Sequence, residues 1–351
     1  MTLSSQLSSA LPCRDAVVPH KTAVVYNKPG PQRYADMGEN KAILSVLEGV
    51  AAVRQALSEL GCEVTTVPLL PPYERAKETL KSIEAHLVFN LFEGFDGRPK
   101  TEAIVAKMMS ELGITYTGCS SSALALALDK AKAKDLMRSH GINTPEYQLV
   151  TPETVSQFQL RFPCIVKPCG EDASHGLSAN SVVQDQASLE LQVIGVCRAF
   201  GGKALVEEFV EGREFNATVM GNDEITVLPI SEIVYSLPAG LPPILTYAAK
   251  WEEGTVYFDG TRVVCPAEVG EEDRAQLAQT ATAVYKLLIQ QGYARVDMRK
   301  DLEGNIHVLE ANPNPDITPG SGAARQAAAA GMTYAQFIDK IVSLALHKTA
   351  A

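Results

Sequence analysis

The chain has 351 residues, more than one ordinary core accommodates and suited to two or three domains. A hydrophobic content of 46% against 21% charged is that of a folded chain, and the net charge of −10 argues against nucleic acid or an anionic membrane as the main partner. No apolar run of about 18 residues is present, so no membrane span is expected.

Residues 1–19 are Ser-rich and have neither a charged n-region nor an apolar h-region, so they are expected to be a disordered tail rather than a signal peptide. Seven cysteines (Cys13, Cys62, Cys119, Cys164, Cys169, Cys197 and Cys265) form an odd set without a Cys-x-x-Cys pair. Reduced, mostly buried thiols in a cytoplasmic protein are the expectation.

Strand and helix signals then alternate. Lys21–Tyr26 predicts a strand. Asn40–Leu60 predicts an amphipathic helix, with Ile43, Val46, Leu47, Val50, Val53, Leu57 and Leu60 on one side and Gly61 as the stop. Glu63–Val67 is a predicted strand, Tyr73–Ile83 a helix, Leu87–Phe92 a strand and Pro99–Leu112 a helix that Gly113 ends. This order predicts a parallel α/β domain over 20–118. It lacks a Gly-x-Gly-x-x-Gly after its first strand, which argues against a dinucleotide site.

Asp129 can cap a helix that runs to Gly141. Gln148–Val150, Cys164–Lys167 and Ala204–Val210 are predicted strands, and Gln186–Phe200 a helix. Beyond 211 the chain is β-rich. Helices are expected over Glu271–Gln290 and Met332–Leu346, and a hairpin of strands 292–299 and 305–311 between them.

That hairpin is the most informative stretch. Side chains two apart on a strand share a face. Arg295 therefore points with Asp297, and Glu310 with Asn312. If the hairpin brings the faces together, an all-oxygen cluster forms beside a guanidinium. Hard oxygen ligands suit Mg²⁺. Lys167 ends an apolar strand and precedes the polar loop Gly170–Gly176, which includes Ser174; phosphate binding and a snorkelling surface lysine both fit it. Lys130 at a helix start opposes the macrodipole, which marks function or nothing. Glu207 and Glu214 lie in an acidic strand end that, taken alone, is better read as a solvated loop.

Taken together, Leu128-Asp129-Lys130, Ile165-Val166-Lys167-Pro168, Val206 through Glu214, Arg295-Val296-Asp297 and Leu309-Glu310-Ala311-Asn312 occur in the order and spacing of ATP-grasp enzymes. They resemble the D-alanine–D-alanine ligase family over residues 20–345. Tyr116-Thr117-Gly118, Ala324-Arg325-Gln326 and Gly331-Met332-Thr333-Tyr334 also look like that family. The resemblance implies an ATP-grasp fold behind an N-terminal parallel α/β domain. The implied division is an N-terminal substrate domain 20–118, a central ATP-grasp subdomain 119–210, and a C-terminal subdomain 211–351 with the metal site.

The resemblance also implies roles. Lys130 and Lys167 would contact phosphates, with Ser174 in the adjoining loop. Glu207 and the backbone at Phe209 and Val210 would meet adenine, and Glu214 the ribose. Asp297, Glu310 and Asn312 would hold two Mg²⁺, with Mn²⁺ able to substitute. Lys250 would reach phosphate from a mobile lid over 240–256. Arg295 would steady the acyl phosphate and the oxyanion, and Ser321 would bind the carboxylate of the incoming amino acid.

The chain departs from the pattern where the first substrate's ammonium is held. The family's early acid aligns with the apolar stretch Ala42-Ile43-Leu44, its His-Gly with Asn90-Leu91, a loop serine with Ala173, and the tyrosine beside the mobile lysine with Trp251. Glu39 and Glu93 are the candidate substitutes. An ATP-dependent carboxylate–amine ligase is therefore expected, with D-Ala-D-Ala formation as the leading specific assignment and a different acid or peptide joined to an amino acid as the alternative. A regulatory nucleotide binder and a phosphotransferase are the competing classes. Amino acid or peptide substrates, no nucleic acid, no membrane and a homodimer complete the expectation.

Overall fold

The protein is described by a computed structural model covering residues 20–28, 41–171 and 174–348. The tail 1–19, Glu39 and Ala173 lie outside the described residues, as do the side chains of Ala42–Leu44.

The first sheet is built from β1 (Lys21–Asn27), β2 (Glu63–Leu69) and β3 (Leu87–Leu91), all parallel, in the order β2-β1-β3. Helices α1 (Lys41–Glu59), α2 (Tyr73–Lys81) and α3 (Lys100–Glu111) connect and follow these strands. Central β1 buries Ala23, Val24 and Val25 completely, the run of apolar residues that a strand covered on both faces requires. Gly61 and Gly113 end α1 and α3 at φ +86° and +67°. The Cys62 N–H returns to the Leu57 carbonyl and the Ile114 N–H to Met109, the six-to-one bond that a left-handed glycine permits.

Next come α4 (Ser121–Leu128), α5 (Lys130–Ser139), β4 (Tyr147–Val150), β5 (Cys164–Pro168), β6 (Val182–Val183), α6 (Gln186–Phe200) and β7 (Ala204–Glu208). The strands form an antiparallel sheet in the order β4-β7-β5-β6. Its core is made by Val166, Val206 and Leu189 with Val193 of α6. Helix α4 was not predicted; its Ala- and Leu-rich sequence has no polar face to give a helical period. Those two residues are strong helix formers, and the Ser120 hydroxyl caps the Ala123 N–H at 3.2 Å. The strand expected over 204–210 stops at Glu208: the Phe209 N–H still reaches the Pro163 carbonyl in register, but proline has no N–H to return to the ladder.

The remainder contains β8 (Gly212–Gly221), β9 (Ile225–Val227), β10 (Ser231–Tyr235), α7 (Tyr247–Trp251), α8 (Val256–Asp259), β11 (Thr261–Val264), α9 (Glu271–Leu288), β12 (Gly292–Asp301), β13 (Ile306–Pro313), α10 (Gly322–Ala329) and α11 (Tyr334–Leu346). Its antiparallel sheet runs β11-β10-β8-β12-β13, with β9 also paired to β8. Phe215, Ala217, Val219, Ala294, Val296 and Met298 face Leu277, Ala281 and Val284 of α9. The opposite face carries Glu214, Asn216 and Thr218 on β8 and Arg295, Asp297 and Arg299 on β12, and these pair in register.

Gln326 on α10 fixes that polar face. It is fully buried. Its Oε1 accepts from the Thr218 N–H at 2.9 Å, and its Nε2 donates to the Asn216 carbonyl, Asn216 Oδ1 and Ser231 Oγ at 2.8, 3.0 and 3.0 Å. Gln326→Leu keeps the volume and strands a buried N–H and a carbonyl. Such groups cost about 1–3 kcal/mol each. The expected loss is roughly 2–4 kcal/mol in denaturant unfolding, and a loss indistinguishable from zero would show that the amide is dispensable.

Candidate active site

The site grows from the β12–β13 hairpin. Arg295 lies opposite Asn312, and Asp297 opposite Glu310. Cross-strand neighbours share a face, so the four side chains meet. Strict alternation along β13 would send Glu310 to the side of buried Ile306 and Val308. A bulge prevents this: Asp297 pairs with Glu310 while Met298 pairs with Val308, leaving Leu309 as an extra residue. The bulge switches Glu310 and Asn312 onto the polar face.

Arg295 binds Asp297 with both arms, Nε to Oδ1 at 2.7 Å and an Nη to Oδ2 at 2.8 Å. Asn312 Nδ2 bridges Asp297 Oδ2 at 2.9 Å and Glu310 Oε1 at 3.2 Å. Burial raises the Asp297 pKa and Glu310 adds to it, against the pull of Arg295. For Glu310 burial is outweighed by Lys130, Lys167 and Arg295, and its pKa falls far below the ordinary range.

Three lysines surround the acids. Lys130 is buried; its Nζ donates to the Glu171 carbonyl at 2.9 Å and lies 3.4 Å from Glu310 Oε2. Lys167, at the end of β5, lies 2.7 Å from Glu207 Oε2. Lys250 is on α7, and burial, then Arg295, lowers its pKa. The 240–256 segment is thus not a bare loop: Thr246 caps α7 through the Ala249 N–H at 3.0 Å. The Tyr247 ring stacks on His175 at 5.5 Å, and the Tyr247 N–H reaches the Leu177 carbonyl, which joins α7 to the loop containing Ser174.

Glu207, expected to meet adenine, lines the smaller of two cavities beside Phe209 and Val210. It is fully buried, with Oε2 against Lys167 and Oε1 2.9 Å from Lys134. Burial opposes its charge, and the two lysines outweigh it and lower its pKa. The carboxylate faces both lysines where it borders the cavity. Phe209 and Val210 lie beyond β7 in the link to β8, and their side of the cavity stays open. Ser321 lies at the cavity wall, but its hydroxyl donates to the Asp316 carbonyl at 2.8 Å and caps α10.

Two residues were missed. Lys134 lies one turn after Lys130 on α5 and hydrogen-bonds Thr144 Oγ1 at 2.7 Å besides pairing with Glu207. Its signal was the i, i+4 spacing. Arg299 continues the Arg295–Asp297 alternation on β12 and binds Glu214 at 2.7 Å.

Two adjoining cavities run past these groups. One of about 100 Å³ lies among Lys130, Lys167, Ser174, Phe209, Val210 and Glu214. One of about 520 Å³ reaches from Asp297 and Glu310 to Glu93, Asp316, Ser321 and Arg325. Two facing carboxylates and an amide suit Mg²⁺, which takes one or two carboxylates with substrate phosphates. Asn312 turns its Nδ2 to both carboxylates, and it would have to turn its amide over to offer Oδ1 to a cation. The cationic rim suits a polyphosphate.

Known proteins resemble this chain in sequence and in fold. The family model described as D-ala D-ala ligase C-terminus matches residues 136–343. A D-alanine–D-alanine ligase of Gluconobacter oxydans is 31% identical over 308 residues, 87% of this chain and 95% of that protein. An uncharacterised protein of Sinorhizobium fredii is 34% identical over 259 residues, 74% of each chain. The crystal structure of the Bacillus anthracis D-alanine–D-alanine ligase with ATP superimposes with a TM-score of 0.71 at 22% identity, covering 93% of this chain and 96% of that one. The chain belongs to the D-alanine–D-alanine ligase family, a family of ATP-dependent ligases.

Proposed function

We propose that this protein activates a substrate carboxylate as an acyl phosphate and joins it to an amino acid, releasing ADP. The observation that carries this reading is the single polar sheet face on which Asp297, Glu310, Asn312 and Arg295 meet Lys130, Lys167 and Lys250 around one connected space. Each sheet lies wholly within one of the ranges 20–118, 119–210 and 211–351, which supports three units with nucleotide between the second and third.

In this reading the lysines and the Ser174 loop hold phosphates, the Phe209–Val210 backbone meets the adenine edge, and Glu214 the ribose. Asp297, Glu310 and Asn312 would hold two Mg²⁺, or Mn²⁺ in substitution. When bound, these ions neutralise charge on the phosphate oxygens. The γ-phosphoryl passes to the carboxylate, the amine attacks the acyl carbon, and phosphate leaves. Arg295, already oriented by Asp297, stabilises the oxyanion with N–H groups near Gly320–Gly322. The α7 segment excludes water from the acyl phosphate. The protein is proposed to act as a cytoplasmic homodimer; no helix among the described residues is long and apolar enough to cross a membrane.

Asp297→Asn and Glu310→Gln each remove charge at nearly constant shape. Each is expected to lower ADP release on the order of 10²-fold or more with the fold retained. Near-wild-type ADP release from either folded variant would remove the metal assignment.

Ser321→Ala is expected to raise KM for the incoming amino acid about 10-fold, the scale of a hydrogen bond to a charged group, and to leave KM for ATP unchanged. In that role the hydroxyl turns from the Asp316 carbonyl to the substrate. A lower Tm with unchanged KM would identify a helix cap and nothing more.

D-Alanine is expected to be a poor first substrate. A buried ammonium needs a carboxylate or several acceptors. The stretch Ala42-Ile43-Leu44 offers none, whereas Glu93 lines the larger cavity. Incubation with ATP, Mg²⁺ and D-alanine alone should yield little dipeptide. Efficient synthesis at low millimolar D-alanine would overturn this, and its loss in only one of Glu39→Gln and Glu93→Gln would then name the substitute acid.

A further inference from the structure

The Arg299 guanidinium has no part in the mechanism above, yet it lies on the site face two residues beyond Asp297 and lines the smaller cavity. It is 3% exposed. Nε and one Nη donate to Glu214 Oε2 at 3.1 and 2.7 Å. The other Nη donates to the Val210 carbonyl at 2.8 Å. The first Nη also donates to the Pro243 carbonyl. The guanidinium carbon stands 4.9 Å over the centre of the Phe209 ring. One side chain on β12 thus holds the β7–β8 link, the acid at the start of β8 and the segment leading to α7.

The contacts are one-sided. Tyr235 donates to the same Glu214 Oε2 at 2.9 Å, and burial keeps its phenol protonated. All three donors to Glu214 therefore converge on one oxygen. Oε1 accepts no hydrogen bond among the described residues, and Glu214 lines both cavities. Val210 repeats the pattern. Its carbonyl is taken by Arg299, while its N–H has no partner among the described residues.

We propose that Arg299 is the positioning residue of the nucleotide subsite, turning Glu214 so that Oε1 accepts from a ribose hydroxyl and Val210 so that its N–H donates to the purine edge. The proposal rests on the reading of this cavity as the ATP site. It requires the planar fork of arginine. Lysine keeps the charge but cannot serve Glu214, Val210 and Pro243 at once. Methionine leaves Glu214 buried and unpaired.

The test is calorimetric binding of MgATP and of its 2′-deoxy analogue to the full chain without amino acids. Wild type should prefer the ribonucleotide. Arg299→Lys should weaken MgATP about 10- to 100-fold, the scale of a charge-assisted hydrogen bond, and the deoxy analogue less, so that the preference collapses toward unity. Glu214→Gln should lose the preference too, and adding Arg299→Lys to it should change little more, because residues acting through one another are not additive. A folded Arg299→Lys that keeps the wild-type preference, or losses that simply add, would overturn the proposal alone. Equal binding of both nucleotides by wild type would also overturn it. Binding of neither would overturn the ligase reading and this proposal together. If Arg299→Lys does not fold, Arg299→Met with Glu214→Gln removes both buried charges; it should bind the two nucleotides alike, and a retained preference there would overturn the proposal.

Discussion

Strand β12 pairs antiparallel with β8 on one side and β13 on the other, and this double pairing sets every distance in the site. Neighbouring strands lie about 4.8 Å apart, so opposed side chains cannot avoid one another. Asp297 has Asn216 on one flank and Glu310 on the other. Two carboxylates held that close and partly shielded from water repel, and the Arg295 fork offsets the repulsion. The apolar reverse face against α9 keeps the register from slipping, because a one-residue shift would bury the acids and expose Val296 and Met298.

A second buried charge group lies across the cavity. Glu207 faces Lys134 and Lys167 together. Two cations for one anion leave a positive excess. Lys134 is sealed at 1% exposure while Lys167 is 14% exposed, so the excess emerges at the phosphate end of the cavity. Without Lys134, Glu207 would neutralise Lys167 and the site would lose a charge without losing a lysine. The carboxylate is thus part of the electrostatics of the cavity's cationic end.

Much of this was legible in the sequence. The extents of α1 and α3 with their glycine stops, and the same-side pairing of Arg295 with Asp297 and Glu310 with Asn312, follow from local rules that tertiary structure did not override, although Leu47 on the expected apolar side of α1 is 43% exposed. What escaped depended on partners distant in the chain. The direction of Glu207 is decided by lysines 40 and 73 positions earlier on other elements. Arg299 obeyed the alternation that exposed Asp297, but its meaning lies in Glu214 on β8 and the Pro243 carbonyl. Helix α4 carries no amphipathic period to announce it; helix propensity and a serine cap form it.

The extra residue at Leu309 has a consequence for how the hairpin tolerates change. The switch of faces is made inside β13, four residues from the turn, so the turn at 302–305 does not determine which way Glu310 points. Leu302 at that tip is 77% exposed. A segment grafted there lengthens the ribbon at its free end and leaves Asp297 opposite Glu310. The tip is therefore a natural anchoring point for a fluorophore or a surface tether, and the same tolerance gives evolution a place to append new binding material without retuning the chemistry.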